Sequence, residues 1–308
     1  FFGSAGCTSS DPPYVFIRNR LAIAVPDRLS PEELNVLPGF YPGLMDPEWK
    51  VSQVDVRLTE EAVQVIAEEG RGTSPLLLYF ALNTPHIPWE APEMFEGKSR
   101  VGSYGDMIQL ADWAVGRVLA ALEAQNMLND TLVIFTSDNG PPRHAIEGHT
   151  SAGPFRGQKN TIWEGGHRVP FLIRWPDKIA GGRESDQVLC LTDLMASFAA
   201  MLGIALPVDE GTDSFNVLPA LLDYKTRCER PHLINDTSRG DVSLRQGEWK
   251  YIALADKTNH KGPRKMLFNL QDDPEEEHNL AETMPGKLEA MQEMLDSLMS
   301  TPSTRHRK

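Results

Sequence analysis

Apolar residues along the chain change their spacing several times, and each spacing predicts a different element. Leu76-Leu-Leu-Tyr-Phe-Ala-Leu82 is a continuous apolar run of strand length, the pattern of a central strand covered on both faces. Asn83-Thr-Pro-His-Ile-Pro-Trp89 stops it, and its prolines stiffen the chain around His86. From Tyr104 to Gln125, Met107, Leu110, Ala111, Ala114, Val118 and Leu122 recur at the helical period, with Asp106 near the start, where negative charge is favoured. A short β-branched run from Thr131 then ends in Ser137-Asp-Asn-Gly140, a strand stopping at a turn. Strand, long helix and strand in that order predict a βαβ unit and an α/β fold with a mostly parallel central sheet flanked by helices. Val169 to Trp175 reads as a further strand. Thr59 to Ala67 reads as a helix with Thr59 as its N-cap, and Leu191 to Leu202 as one capped by Thr192 or Asp193 and stopped by Gly203.

The pattern shifts near residue 225. Pro231–Asn235, Asp241–Arg245, Trp249–Leu254 and Met266–Leu270 are short alternating strands, several separated by Gly-containing turns, which predicts an antiparallel sheet. An amphipathic helix from Met284 to Met299 closes it. The expected organisation is an α/β domain over 1–224 and a small antiparallel α+β subdomain over 225–308. The acidic run Asp272 to Glu277 reads as a solvated turn, and residues 300–308 as a frayed basic tail. The first 50 residues are rich in Gly, Pro, Ser and Asp and read as mostly irregular chain. Phe1-Phe-Gly begins as if in mid-domain, so the chain reads as lacking N-terminal sequence.

Composition narrows the classes. The 308 residues carry a formal net charge of -13, which argues against the basic footprint of a nonspecific nucleic-acid binder but leaves room for a local basic pocket. No apolar run approaches membrane-spanning length. Cys7, Cys190 and Cys228 are far apart and show no paired metal spacing.

The chemistry collects around the Thr131 strand. Ligands in open α/β sheets sit beyond strand carboxyl ends, which places Asp138 and Asn139 at a site mouth. A carboxylate beside an amide carbonyl suits a hard cation, although Asp-Asn-Gly alone is also an ordinary turn. Downstream lie Arg143, His144, His149, Arg156 and Lys159, more cationic or protonatable groups than a connecting loop needs. An anion pocket beside a metal accounts for them together. His86, at the other strand end, reads by itself as a loop histidine.

Together Thr84-Pro-His86, Ser137-Asp-Asn-Gly-Pro141, Gly153-Pro-Phe-Arg-Gly-Gln-Lys159, Trp163-Glu-Gly-Gly-His-Arg-Val-Pro170, Arg245-Gln-Gly-Glu-Trp-Lys250 and Leu267-Phe-Asn-Leu-Gln-Asp-Asp-Pro274 resemble the sulfatase family of the alkaline-phosphatase-like superfamily. The resemblance covers most of the chain from about Leu76 onward. It implies a calcium ion held in part by Asp138 and Asn139, with Lys159 and His86 as catalytic groups contacting the sulfate. His149 is a further substrate-binding candidate, while Glu164 and Arg168 pin the loop. It also implies a periplasmic or extracellular protein acting on a sulfated small molecule or glycan.

The family nucleophile is a formylglycine made from a Cys/Ser-x-Pro/Ala-x-Arg motif. That motif does not occur in this sequence, and Cys7-Thr-Ser-Ser-Asp11 does not fit it. The expectation is therefore a sulfuric ester hydrolase whose formylglycine lies outside these residues. The competing readings are a phosphoester hydrolase of the same superfamily and a catalytically inactive sulfoglycan-binding relic.

Overall fold

The computed structural model describes residues 1–304 apart from Cys7, Arg71, 143–148 and 256–261. They form two compact units, the first of 1–131 with His149 and the second of the remaining described residues from Leu132 onward. The change of strand character near residue 225 thus lies inside the second unit.

In the first unit, β1 (Phe2–Ser4), β2 (Phe16–Arg18) and β3 (Leu21–Ala22) form an antiparallel sheet, and β4 (Arg28–Leu29) pairs with β5 (Leu44–Met45). Two helices, α1 (Val54–Glu69) and α2 (Gly102–Ala124), pack on each other. The core is aromatic: Tyr14, Phe40, Met45, Trp49, Val54 and Leu58, with Tyr14 stacked on Phe40 at 4.8 Å. Helix α1 begins five residues before the expected cap. Thr59 is fully buried inside it, its hydroxyl donating to the Asp55 carbonyl at 2.6 Å. A threonine one turn into a helix can bond back four residues as readily as it caps.

The 76–82 run departs from expectation. Among the described residues it joins no strand ladder, and its exposure alternates. Leu77 and Tyr79 are 83% and 91% exposed, while Phe80 packs against the aromatic core. Apolar content shows that a segment can be covered on both faces, but not which chain covers it.

In the second unit, β6 (Val133–Thr136) pairs with β7 (Phe171–Arg174), aligning Val133 with Arg174 and Thr136 with Phe171. This pairing is antiparallel. The only parallel pairing among the described residues is the isolated bridge Tyr14–Met45. The order strand–helix–strand predicts a parallel crossover only when the two strands are neighbours, and the neighbour of β6 comes from further along the chain. Short helices come next: α3 (Glu164–His167), α4 (Asp193–Met201) and α5 (Leu218–Leu222). Asp193 is fully buried; it accepts the Cys190 and Phe215 amides at 2.8 and 3.0 Å and pairs with Arg230 at 2.7 Å.

The C-terminal sheet forms as expected. Its strands β8 (Leu233–Asp236), β9 (Val242–Gln246), β10 (Trp249–Leu254) and β11 (Arg264–Asn269) run antiparallel in the order β11-β10-β9-β8. Strand alternation gives the sheet two dry faces. Leu244, Tyr251 and Leu267 meet Met291, Leu295 and Leu298 of α6 (Pro285–Met299). Ile252, Met266 and Phe268 on the opposite face cover Ile162. Lys250 sits two residues before Ile252 on that same face, so the sheet presents a buried charge to the loop beyond Lys159. Ser303 and Thr304 bond to Thr212 and Asp213, so the chain is tied down through residue 304 rather than fraying from Ser300.

Candidate functional site

Strand β6 delivers Ser137–Gly140 as a turn. The Ser137 hydroxyl donates to the Asn139 carbonyl at 3.1 Å, Asp138 is exposed, and Asn139 is half-buried. Two backbone latches hold this turn in place: the Gly140 amide donates to the Gly166 carbonyl at 3.0 Å, and the Lys159 amide to the Pro141 carbonyl at 2.8 Å. The Asp138–Asn139 turn and the Lys159 loop, 21 residues apart in sequence, are therefore stitched side by side. Arg143 and His144 of the basic loop lie outside the described residues.

Arg156 has a structural task. Its guanidinium lies 3.6 Å from the Trp163 ring centroid and donates to the Glu276 carbonyl at 2.9 Å. It serves the loop's geometry rather than an anion.

His86 and His149 belong to the first unit. The buried Asp55 carboxylate accepts the Asn83 and Thr84 amides at 2.8 and 2.9 Å, and the Thr84 hydroxyl donates to the Met107 carbonyl at 2.7 Å. Burial pushes the Asp55 carboxyl above its ordinary value, partly offset by these bonds. The His86 Nδ1 is 2.7 Å from the Ile87 carbonyl oxygen. That oxygen can only accept, so Nδ1 carries the proton and a neutral ring keeps Nε2 as acceptor. A line of rings, Trp89–Tyr104 at 5.5 Å and Tyr104–His149 at 5.9 Å, joins the His86 loop to His149.

Behind the Lys159 loop lies a charge cluster that the sequence only half disclosed. Glu164 and Arg168, expected to pin the loop, form an ion pair at 3.6 Å. Glu164 is also 2.8 Å from the ammonium of Lys250, itself 1% exposed, and 3.2 Å from His167. Glu276 completes the cluster, 2.8 Å from Lys250 and accepting the Glu164 amide at 2.7 Å. Its place in the acidic run suggested a solvated turn, yet it is fully buried at φ 58. The left-handed region costs a non-glycine residue roughly 1–2 kcal/mol, so the surroundings impose this geometry. The readable signal was its neighbour Asp-Pro274 in the family-like C-terminal motif, not the charge run itself.

Burial works to raise the Glu164 carboxyl, but the His167 hydrogen bond and the Lys250 charge outweigh it and hold the group well below the usual range. Burial dominates at Glu276 and raises it, because Lys250 is shared and Glu164 is a like charge. A depressed carboxyl contributes stability above its unfolded value of about 4.3 that is lost as pH falls toward its folded value. Acidification should therefore narrow the stability gap between wild type and Glu164→Gln. Urea midpoints at about pH 7 and about pH 3 test this; a gap of equal size at both would contradict the assignment.

Asp138 and Asn139 fit a hard cation by donor chemistry, since both offer oxygens from one turn. They would supply only part of a shell of six to eight oxygens. No group of three or more His, Cys, Asp and Glu placed to hold a metal ion occurs among the described residues. No helix there is long and apolar enough to cross a membrane.

Known proteins share this architecture. The sulfatase family model matches residues 19–204, more than half of the chain. Over 280 residues the chain is 30% identical to an N-acetylgalactosamine-6-O-sulfatase of Bacteroides thetaiotaomicron, covering 84% of this chain and 54% of that protein. The chain thus spans about half the length of that curated relative. Its structure is similar to a sulfatase from work on glycosaminoglycan metabolism by the same organism, with a TM-score of 0.82 and 26% identity over 96% of this chain and 71% of that one. It is also similar to Ps i-CgsB in complex with k-i-k-neocarrahexaose, with a TM-score of 0.69 and 26% identity over 82% of this chain and 56% of the other. By the family match, the extent of the sequence identity and the shared fold, the chain belongs to the sulfatase family.

Proposed function

We propose that the protein hydrolyses a sulfate monoester, carried by a glycan, with this chain supplying the ammonium and half of the calcium site. The observation that carries the reading is the bond from the Lys159 amide to the Pro141 carbonyl, which ties the Lys159 loop to the turn bearing Asp138 and Asn139. Sulfuryl transfer spreads charge over equatorial oxygens and needs little proton chemistry there, so fixed cations are the appropriate catalysts. Calcium, when bound, adds charge stabilisation at those oxygens. Lys159 holds a sulfate oxygen. His86, its Nδ1 donating to Ile87, is assigned the proton transfer to the leaving alcohol, which its Nε2 can make only when the ring carries both protons, and His149 is assigned a substrate contact. The glycan assignment is supported by the N-acetylgalactosamine-6-O-sulfatase relative and by the k-i-k-neocarrahexaose in complex with Ps i-CgsB.

The attacking formylglycine motif does not occur in these 308 residues. The purified chain should therefore bind calcium weakly, with Kd on the order of 10⁻⁴–10⁻³ M, lose that binding on Asp138→Ala, and turn over an aryl sulfate negligibly. Calorimetric calcium titration and a chromogenic assay test this. Robust turnover by the chain would contradict the assignment of attack to a group outside it. Calcium binding unaffected by Asp138→Ala would remove the metal reading.

A further inference from the structure

We propose that Lys250 and Glu276, carried by the C-terminal antiparallel layer, are positioning residues for the sulfate and calcium loops. This rests on the reading of Lys159 as a sulfate ligand and of Asp138 and Asn139 as calcium ligands. The contacts form a closed circuit. Glu276 touches three parts of it at once: its Oε1 meets Lys250 at 2.8 Å, its Oε2 accepts the Glu164 amide at 2.7 Å, and its carbonyl accepts Arg156 at 2.9 Å. Lys250 pulls on the Glu164 side chain from β10. From Glu164 the main chain continues through the Gly165 amide, bonded to the Arg156 carbonyl at 2.7 Å, and the Gly166 carbonyl, which accepts Gly140. Gly140 comes directly after Asn139, and Pro141 accepts the Lys159 amide. Segments 138–141, 156–159 and 164–166 thus close on one another. The Lys250–Glu276 pair grips the third and, through Arg156, the second.

Stability alone does not explain charge at this place. A buried ion pair can often be replaced by apolar residues without loss of stability. Here the charges meet at the junction of three functional segments, and Glu276 is held in a left-handed conformation to reach them. The pair thereby fixes how these three segments sit against one another.

The test is amide hydrogen exchange on the whole chain, comparing wild type with the isosteric Glu276→Gln. The Gly140, Lys159 and Gly165 amides should exchange about tenfold faster in the variant, the effect of losing one charged hydrogen-bond partner. Amides of α4, which take no part in the circuit, should not change. Binding of inorganic sulfate, read by calorimetry, should weaken by a similar factor. Uniform acceleration, or none at the three loop amides, overturns the proposal. Should the variant not fold, wild-type exchange in low urea decides instead. The three loop amides should then open together with those of β10, and opening at lower urea than β10 overturns the proposal. If the exchange pattern holds but wild type binds no sulfate, the positioning stands and the sulfate reading of Lys159 fails.

Discussion

Replacing Lys250 with Met is expected to cost the fold about 3–5 kcal/mol, the largest single-site loss of stability foreseen for this chain. The ammonium is 1% exposed and lies 2.8 Å from carboxylates of both Glu164 and Glu276. Removing it leaves two buried acids facing each other with no charge between them. Glu164 keeps His167 at 3.2 Å and Arg168 and Arg245 at 3.6 Å. Among the described residues the Glu276 carboxylate keeps only the Glu164 amide, and it answers by taking up a proton. Its carboxyl, already raised by burial, rises further. A raised carboxyl contributes stability at low pH that is lost as pH climbs through its folded value. The deficit of Lys250→Met should therefore be smaller at about pH 5 than at about pH 8. Urea unfolding at both values measures it, with an unchanged m-value showing that the folded state stays compact. A loss below about 1 kcal/mol would mean that the pair is as dispensable as an exposed one.

Much of this site was readable because its signals are local. The β6 strand, the Asp138–Asn139 turn, the helix α2 and the four C-terminal strands arise from spacing and turn chemistry within a few residues of each other. Lys159 was readable as a cation in an unusually basic loop. The features that escaped are those whose cause lies far along the chain. Glu276 looked solvated because its partners, Lys250 and the Glu164 amide, are 26 and 112 residues away. The antiparallel pairing of β6 with β7 and the half-covered state of Leu76–Leu82 are likewise decisions about which chain lies alongside, on which a strand's own residues are silent. Thr59 failed for the opposite reason: its local chemistry permits both a cap and a back-bond, and the burial of Val54 and Leu58 decided between them.

The second large effect expected is at Gly140, where a single methyl group should disorganise the Asp138–Asn139 turn. A Cβ built there falls 1.9 Å from the Gly165 carbonyl oxygen, 2.9 Å from its carbon and 3.1 Å from the Gly166 carbonyl carbon. All three are backbone atoms, so no side chain can swing aside. The two segments must part until that 1.9 Å exceeds about 3.0 Å, and the 3.0 Å bond from the Gly140 amide to Gly166 breaks in the process. Overpacking of this kind costs about 1–3 kcal/mol, and the rigidity of the obstacle places Gly140→Ala at the upper end. The movement begins one residue beyond Asn139 and one before Pro141, so it displaces the Asp138–Asn139 pair and the Lys159 latch together. Gly116→Ala supplies the contrast. Gly116 is exposed within α2 and nothing lies within 4 Å of its added Cβ. There the same methyl group should stabilise, by up to about 1 kcal/mol, through helix propensity. Paired denaturation curves should thus move in opposite directions, with calcium affinity lost only in Gly140→Ala. Equal shifts, or retained calcium affinity in Gly140→Ala, would show that the close approach of 140 to 165 does not hold the turn in place.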